Sequence, residues 1–297
     1  MMRWFLLLGV IGAALATSAG LIVTRPDRSD VDFTGTSEAD PAAGALVFAA
    51  AGCASCHAAP NAEGDARLIL SGGRAFASDF GTFFAPNISP DPTAGIGGWS
   101  RQEFTDAVTR GVSPAGQHYY PAFPYTAYAK MTPQDLVDLF SYMQSLPASD
   151  VANRPHDVGL PFSIRRGVGV WKALYFDTGY EVTGPLTPAE TRGRYLAEGL
   201  AHCAECHTPR TALGGLDRSR WLGGAPNPSG KGRIPNITPS ALAWSEEDMI
   251  AYFTSGLTPD YDSAGGEMVE VIENLAQLPE ADRAALASYL KKVAPVP

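Results

Sequence analysis

Positive charge is scarce in this 297-residue chain: 22 Lys and Arg stand against 31 Asp and Glu, for a formal net charge of −9. That balance excludes nucleic-acid binding and a polybasic membrane-surface role, both of which need cationic surface. Cysteine, histidine and methionine are also few, at four, five and six. Strand-like alternation of any strength is missing, and with it the βαβ setting expected of a thioredoxin-type redox pair. Glycine (31) and proline (24) are plentiful, and 45% of the residues are hydrophobic against 18% charged. Such a chain is globular rather than disordered, and its length suggests two domains.

All four cysteines fall in two copies of one motif, Cys53-Ala54-Ser55-Cys56-His57 and Cys203-Ala204-Glu205-Cys206-His207. C-x-x-C-H is the spacing of covalent haem attachment. On a short helix the two thiols share a face and add across the two vinyl groups of haem, and the adjacent imidazole, His57 or His207, binds the iron. A zinc site fits poorly, because Cys56 and Cys203 have 146 residues between them, whereas paired zinc knuckles lie about 15–20 apart. Structural disulfides would not require a histidine after both pairs. Two covalently attached haem c groups are therefore expected.

Residues Phe5 to Thr24 run for 20 positions without a charge, close to the roughly 20 needed to span a bilayer. Ala14-Leu15-Ala16 offers a signal-peptidase site, but Gly20-Leu21-Ile22-Val23 prolongs the apolar run past it before Arg25 and Arg28. An uncleaved N-terminal transmembrane helix is expected within residues 1–28. Flanking basic residues leave its orientation ambiguous. Covalent haem attachment in bacteria occurs outside the cytoplasm, which places the rest of the chain on the periplasmic side of the inner membrane.

Superimposing Cys53 on Cys203 reveals a tandem duplication. Gly72-Gly73 matches Gly223-Gly224, Pro86-Asn87-Ile88-Ser89-Pro90 matches Pro235-Asn236-Ile237-Thr238-Pro239, and Trp99-Ser100 matches Trp244-Ser245. Each half has three helix signals in the same order. The first are Pro41 to Ala51 and Pro188 to Ala201, the latter opened by a capping box from Thr187 to Glu190. The second start at Ser100 and Ser245 and stop near Gly111 and Gly256. The third start at Thr132-Pro133 and near Pro279. The expected organisation is an anchor (1–28), a linker (29–40), a first haem domain (41–150), a connector (151–182) and a second haem domain (183–297). The connector contains Trp171, Leu174, Tyr175 and Phe176 and is expected to pack across both domains. Each domain is a small all-α fold whose core is the haem itself.

An electron-transfer haem usually closes its sixth position with methionine, which raises the potential. Met1 and Met2 lie in the leader. The repeat aligns Met249 with Phe104 and Met143 with Leu290, so both occupy apolar helix positions and read as core. Met131 and Met268 remain, one per half and each before the third helix. They are not equivalent under the repeat, since Met131 precedes Asp135 by 4 residues and Met268 precedes Asp282 by 14. His118 stays open as a rival to Met131. Asn87 and Asn236, in their recurring Pro-Asn-Ile turns, are candidates to donate to a haem propionate or to pin the turn over the haem face. His156 and His202 read as structural or solvent-facing. Trp99 and Trp244 read equally well as propionate donors or as core.

These segments together resemble a known family. The resemblance rests on Ala85-Pro-Asn-Ile-Ser-Pro-Asp91 with Gly95-Ile-Gly-Gly-Trp99, on Tyr120-Pro-Ala-Phe-Pro-Tyr125 with Lys130-Met131-Thr132, on His202-Cys-Ala-Glu-Cys-His-Thr-Pro-Arg210, and on Met268-Val-Glu-Val-Ile272 and Ala287-Ser-Tyr-Leu-Lys291. The chain is similar to the cytochrome c subunits of membrane-bound bacterial alcohol, gluconate and related sugar dehydrogenases and to diheme membrane cytochromes c. The resemblance implies two tandem class I cytochrome c-like domains, and Met131 as the ligand of the first haem. Subunits of that kind typically carry three haems, and this chain has two motifs.

The expected function is single-electron relay between redox protein partners, a donor dehydrogenase or respiratory complex on one side and an oxidase or soluble cytochrome on the other. No substrate is transformed. The alternatives are a dedicated haem subunit of a dehydrogenase complex and a diheme cytochrome c peroxidase, which would need one haem with an exchangeable distal site.

Overall fold

In the computed structural model, residues 4–5, 12, 17–228 and 232–297 are described. Helices α1 (Pro41–Ala50), α2 (Cys53–His57), α3 (Arg101–Arg110), α4 (Tyr125–Tyr128) and α5 (Pro133–Gln144) form the first half. Helix α6 (Val168–Tyr175) lies between the halves in sequence. The second half contains α7 (Pro188–Arg194), which runs into a π turn at Tyr195–Leu200, then α8 (Ala204–His207), α9 (Glu246–Ser255), α10 (Met268–Leu275) and α11 (Glu280–Lys292).

Local chemistry sets the helix ends. Ser100 with Glu103 and Ser245 with Asp248 form full capping boxes, and Gly111 and Gly256 stop those helices in the left-handed region. Thr132 caps α5, which has Pro133 in its first turn.

The same packing joint recurs in each half. Helix α1 crosses α5, and α7 crosses α11. A Cβ on Gly44 would lie 2.1 Å from the Asp138 carbonyl oxygen and 2.8 Å from Tyr142 Cβ; on Gly193 it would lie 1.9 Å from the Ala285 oxygen and 2.7 Å from Tyr289 Cβ. Each crossing thus requires backbone against backbone, with a tyrosine laid beside the glycine.

Two features depart from the all-α expectation. Two short antiparallel ribbons are present, β1 (Ala75–Ser78) with β2 (Gly81–Phe84) and β3 (Ala225–Pro226) with β4 (Arg233–Ile234). The second departure corrects the N-terminus. Among the described residues no helix is long and apolar enough to cross a membrane, so a transmembrane helix within 1–28 is not supported. Residues 1–3, 6–11 and 13–16, on which much of that expectation fell, lie outside the described residues. Residues 17–23 are helical. The segment that follows is held on α3 by Asp106, which accepts from the Ser29 backbone N–H at 2.7 Å and from Arg28 at 3.4 Å.

The segment between the halves packs on both. Trp171 and Phe176 lie against Tyr125, while the Trp171 indole N–H donates to the Leu213 carbonyl at 3.1 Å. One contiguous apolar core includes Phe48, Tyr128 and Leu139 of the first half and Tyr195, Leu196 and Leu286 of the second.

Candidate haem-binding sites

Each C-x-x-C-H segment forms a short helix entered through a left-handed residue, Gly52 (φ 64°) in the first half and His202 (φ 40°) in the second. His202 closes a contact to the Leu200 carbonyl at 2.8 Å and lays its ring against Tyr128, which gives it the structural place expected of it. No disulfide joins the four cysteines. Burial pushes the Cys53 and Cys203 thiols up to about 12 and Cys56 up to about 11. Before attachment the thiols are therefore protonated at neutral pH, which argues against a free thiolate nucleophile.

The two motif histidines are fixed in matching ways. His57 Nδ1 lies 2.8 Å from the Pro86 carbonyl oxygen, and His207 Nδ1 lies 2.8 Å from that of Pro235. A carbonyl oxygen only accepts, so Nδ1 carries the proton in both rings and Nε2 keeps its lone pair. Burial lowers both imidazole pKa values against the opposing pull of that hydrogen bond. A neutral ring with Nδ1 bonded to a carbonyl is the arrangement that orients Nε2 toward a metal.

The carbonyls belong to the repeated Pro-Asn-Ile turns, and those turns are tied to the attachment helices by glycine. The Gly72 N–H donates to the His57 carbonyl and the Gly224 N–H to that of His207, each at 2.7 Å. A Cβ on Gly72 would come within 2.5 Å of the Pro86 carbonyl carbon, and one on Gly224 within 2.7 Å of the Asn236 nitrogen. The sequence showed these repeats, but not that their proline carbonyls meet the histidines; the recurrence of Pro86 and Pro235 at nearly the same spacing, 29 and 28 residues after the histidines, was the available signal.

The asparagines bond the protein backbone around their turns. Asn87 gives its amide protons to the Ser149 and Val151 carbonyls at 2.8 and 2.9 Å, and its oxygen accepts from the Ser89 N–H. Asn236 donates to the Val296 carbonyl at 2.8 Å and accepts from the Thr238 N–H and hydroxyl. Their amides pin the turns to the chain beyond the third helix of each half.

Met131 is buried in the core at the end of the turn that follows α4. Met268 is half-buried at the first position of α10. Met143 and Met249 are core residues of α5 and α9, 2% and 1% exposed. His118, the rival to Met131, is buried elsewhere, with Nε2 on the Thr24 carbonyl at 3.1 Å and its own carbonyl accepting from Arg165. His156 sits among Phe83 and Tyr120 and accepts from the Phe84 N–H. Arg74 and Arg210 pair with Glu270 and Glu205.

The residues present fit haem: paired cysteines that form no disulfide, a histidine with a free Nε2 beside them, and a methionine in each half. Comparison with known proteins agrees. A family model described as Cytochrome c matches residues 41–147 and 191–294. A "Diheme cytochrome c-type" protein of Cereibacter sphaeroides is 53% identical over 292 residues, covering 98% of this chain and 99% of that one. The fructose dehydrogenase cytochrome subunit of Gluconobacter japonicus is 37% identical over 84% of this chain and 52% of its own length. The cytochrome c subunit of the alcohol dehydrogenase (quinone) of Gluconacetobacter polyoxogenes is 34% identical over 88% and 58%. The chain thus spans nearly all of the first relative and little more than half of the other two.

Proposed function

The chain belongs to the cytochrome c family, and from that premise we propose that it relays single electrons between protein partners through two haems with closed coordination. It carries two covalently attached haem c groups and is an electron-transfer protein. We assign the first to Cys53, Cys56, His57 and Met131, and the second to Cys203, Cys206, His207 and Met268. Bound haem supplies an iron that alternates between Fe(II) and Fe(III).

The chain's own part is to hold each group rigidly and keep water away. Thioether bonds from the two cysteines fix the ring edge. The Pro86 and Pro235 carbonyls set the histidine tautomer and orientation. Sulfur ligation from methionine favours the reduced state and raises the potential. Held by a histidine and a methionine, each iron would offer no open position to a peroxide or another small substrate, which separates this reading from a peroxidase. The pair of histidine rings, each locked through Nδ1 onto the equivalent carbonyl, is the observation that carries the proposal. Attachment of haem in bacteria happens outside the cytoplasm, so the working place of the protein is the periplasm.

Carbon monoxide added to the dithionite-reduced protein tests the closed coordination. The native protein should leave its spectrum unchanged, and Met131→Ala and Met268→Ala should each open one haem to the gas. Binding by the native protein overturns the reading.

The fructose and alcohol dehydrogenase relatives favour one specific role for such a relay, as the haem subunit that accepts electrons from a dehydrogenase. Purification from the native membrane fraction with a flavin or quinoprotein subunit attached supports that role, and recovery of the cytochrome alone opposes it.

A further inference from the structure

Each attachment helix lies at the boundary between the halves, against the segment that carries the other half's candidate methionine. At the first boundary, α10 begins with Met268 and turns its next residues toward the Cys53–His57 helix. Glu270 pairs with Arg74 at 2.7 Å, and Arg74 also donates to the Ser55 carbonyl. Glu273 pairs with Arg67, whose guanidinium reaches the Ser55 hydroxyl at 3.4 Å. The Asn274 amide donates to that same hydroxyl at 2.9 Å and lies beside Gly52, where a Cβ would be 3.5 Å from it. Three residues on two turns of one helix therefore hold one five-residue motif, Asn274 directly and Glu270 and Glu273 through Arg74 and Arg67.

The second boundary reverses the roles. The residues flanking Met131 meet the Cys203–His207 motif and the π turn before it. Thr126 donates to Glu205, inside the motif, at 3.3 Å, and Tyr128 stacks edge-on against His202, which precedes Cys203, at 5.4 Å between centroids. Lys130 lies beside Gly199, where a Cβ would come 3.6 Å from its own. The Thr132 N–H donates to the Tyr195 hydroxyl at 3.3 Å, and that hydroxyl also bonds Asp135. Met131 itself is bracketed by residues held from the other half.

We infer that the two halves brace each other's distal ligands: Arg67, Arg74 and Ser55 of the first half position Met268, and Tyr195, His202 and Glu205 of the second position Met131. This rests on the proposal that both methionines ligate iron. An isolated helix of eight residues such as α10 is marginal in water, so its order depends on what it packs against. Methionine has three rotatable bonds and a weak grip of its own, so a ligand at the first position of such a helix depends on how firmly the helix is held. These are positioning residues, acting through α10 and through the turn before α5.

The test uses the reduced diheme protein and the shifted proton resonances of its iron-bound methionine methyl groups. Met131→His and Met268→His each remove one set and so assign both. If neither removes its set, the ligand assignment fails, which is a separate outcome from failure of the brace. With the sets assigned, the double variant Arg67→Gln with Arg74→Gln should broaden or shift the Met268 set and leave the Met131 set in place. In the oxidised protein, added imidazole should displace Met268 at about tenfold lower concentration, the loss expected from two partly exposed ion pairs and a hydrogen bond. The exchanged pair Arg74→Glu with Glu270→Arg should restore the Met268 set toward its native position, which separates bracing from damage to the fold. A change confined to the Met131 set, equal changes in both, or no change in either overturns the inference.

Discussion

Lys172 shows how a single side chain records the joining of the halves. It stands on α6, and its ammonium donates to the carbonyls of Arg110 and Gly111 at the end of α3 while lying 4.6 Å from the centre of the Tyr125 ring. Burial, reinforced by the Arg110 guanidinium and opposed by Asp27, lowers its pKa to about 7. An unfolded lysine titrates near 10.4, so above the folded value the unfolded chain binds more protons. Stability should therefore rise with pH across that window, and below it the cost of burying the charge is present in full. In denaturant titrations the native protein should gain stability relative to Lys172→Met between about pH 7 and about pH 9, with the difference constant at lower pH. A difference that stays constant across the whole range, or falls, would show that Lys172 keeps its charge when folded. His57 and His207 show another side of the residue scale. Their candidacy as ligands was legible in the sequence because the motif is local. The carbonyls that fix them were not, since they lie 29 and 28 residues away and depend on how a proline turn folds back.

Helices were legible where their ends are written in adjacent residues. Ser100, Thr132, Thr187 and Ser245 all cap the helices expected of them, because a cap needs only the next three residues. Elements that depend on distant partners were not. Helix α10 has no side-chain cap and rests on the first half, and the Phe76 to Phe83 ribbon pairing needs a hairpin that the alternation hardly marks. The crossings of α1 with α5 and of α7 with α11 were half legible: glycine stood in both first helices, but only the fold shows what it meets. Gly193→Ala would press a methyl into the Ala285 carbonyl at 1.9 Å. Backbone cannot yield as a side-chain tip can, so the cost should be at least about 2 kcal/mol and the melting temperature should fall by about 5 °C or more. Gly167, in right-handed backbone with nothing within 4 Å of an added Cβ, is the control. Gly167→Ala should melt as the native protein does or slightly higher. Equal melting of the two variants would mean that the crossing is looser than drawn.

Two tandem domains joined by a mobile linker would be expected to unfold independently, because interfaces between domains of one chain are commonly modest and polar. This molecule is built otherwise. Its apolar core runs without a break from Phe48 and Tyr128 to Tyr195 and Leu286. Residues 151–182 are wedged over both halves through Trp171 and Tyr175, the latter 2.2 Å from where a Cβ on Gly215 would be. Glu198, 2% exposed, accepts from the Glu181 and Val182 N–H groups and from the Tyr289 hydroxyl, which ties the end of that segment to the joint of α7 and α11. Losing either half would strip the other of part of its core and leave Tyr128 and Tyr195 facing water. The duplication visible in the sequence does not reveal this, because equivalent residues in the two copies say nothing of contacts between copies. The holoprotein should therefore unfold in guanidinium as one cooperative transition, with far-ultraviolet dichroism and haem absorbance falling together at a single midpoint. Two resolved transitions, each carrying about half of the dichroism change, would show that the halves are stable apart. The crossed braces would then be dispensable to folding, and their effect would be confined to the ligands.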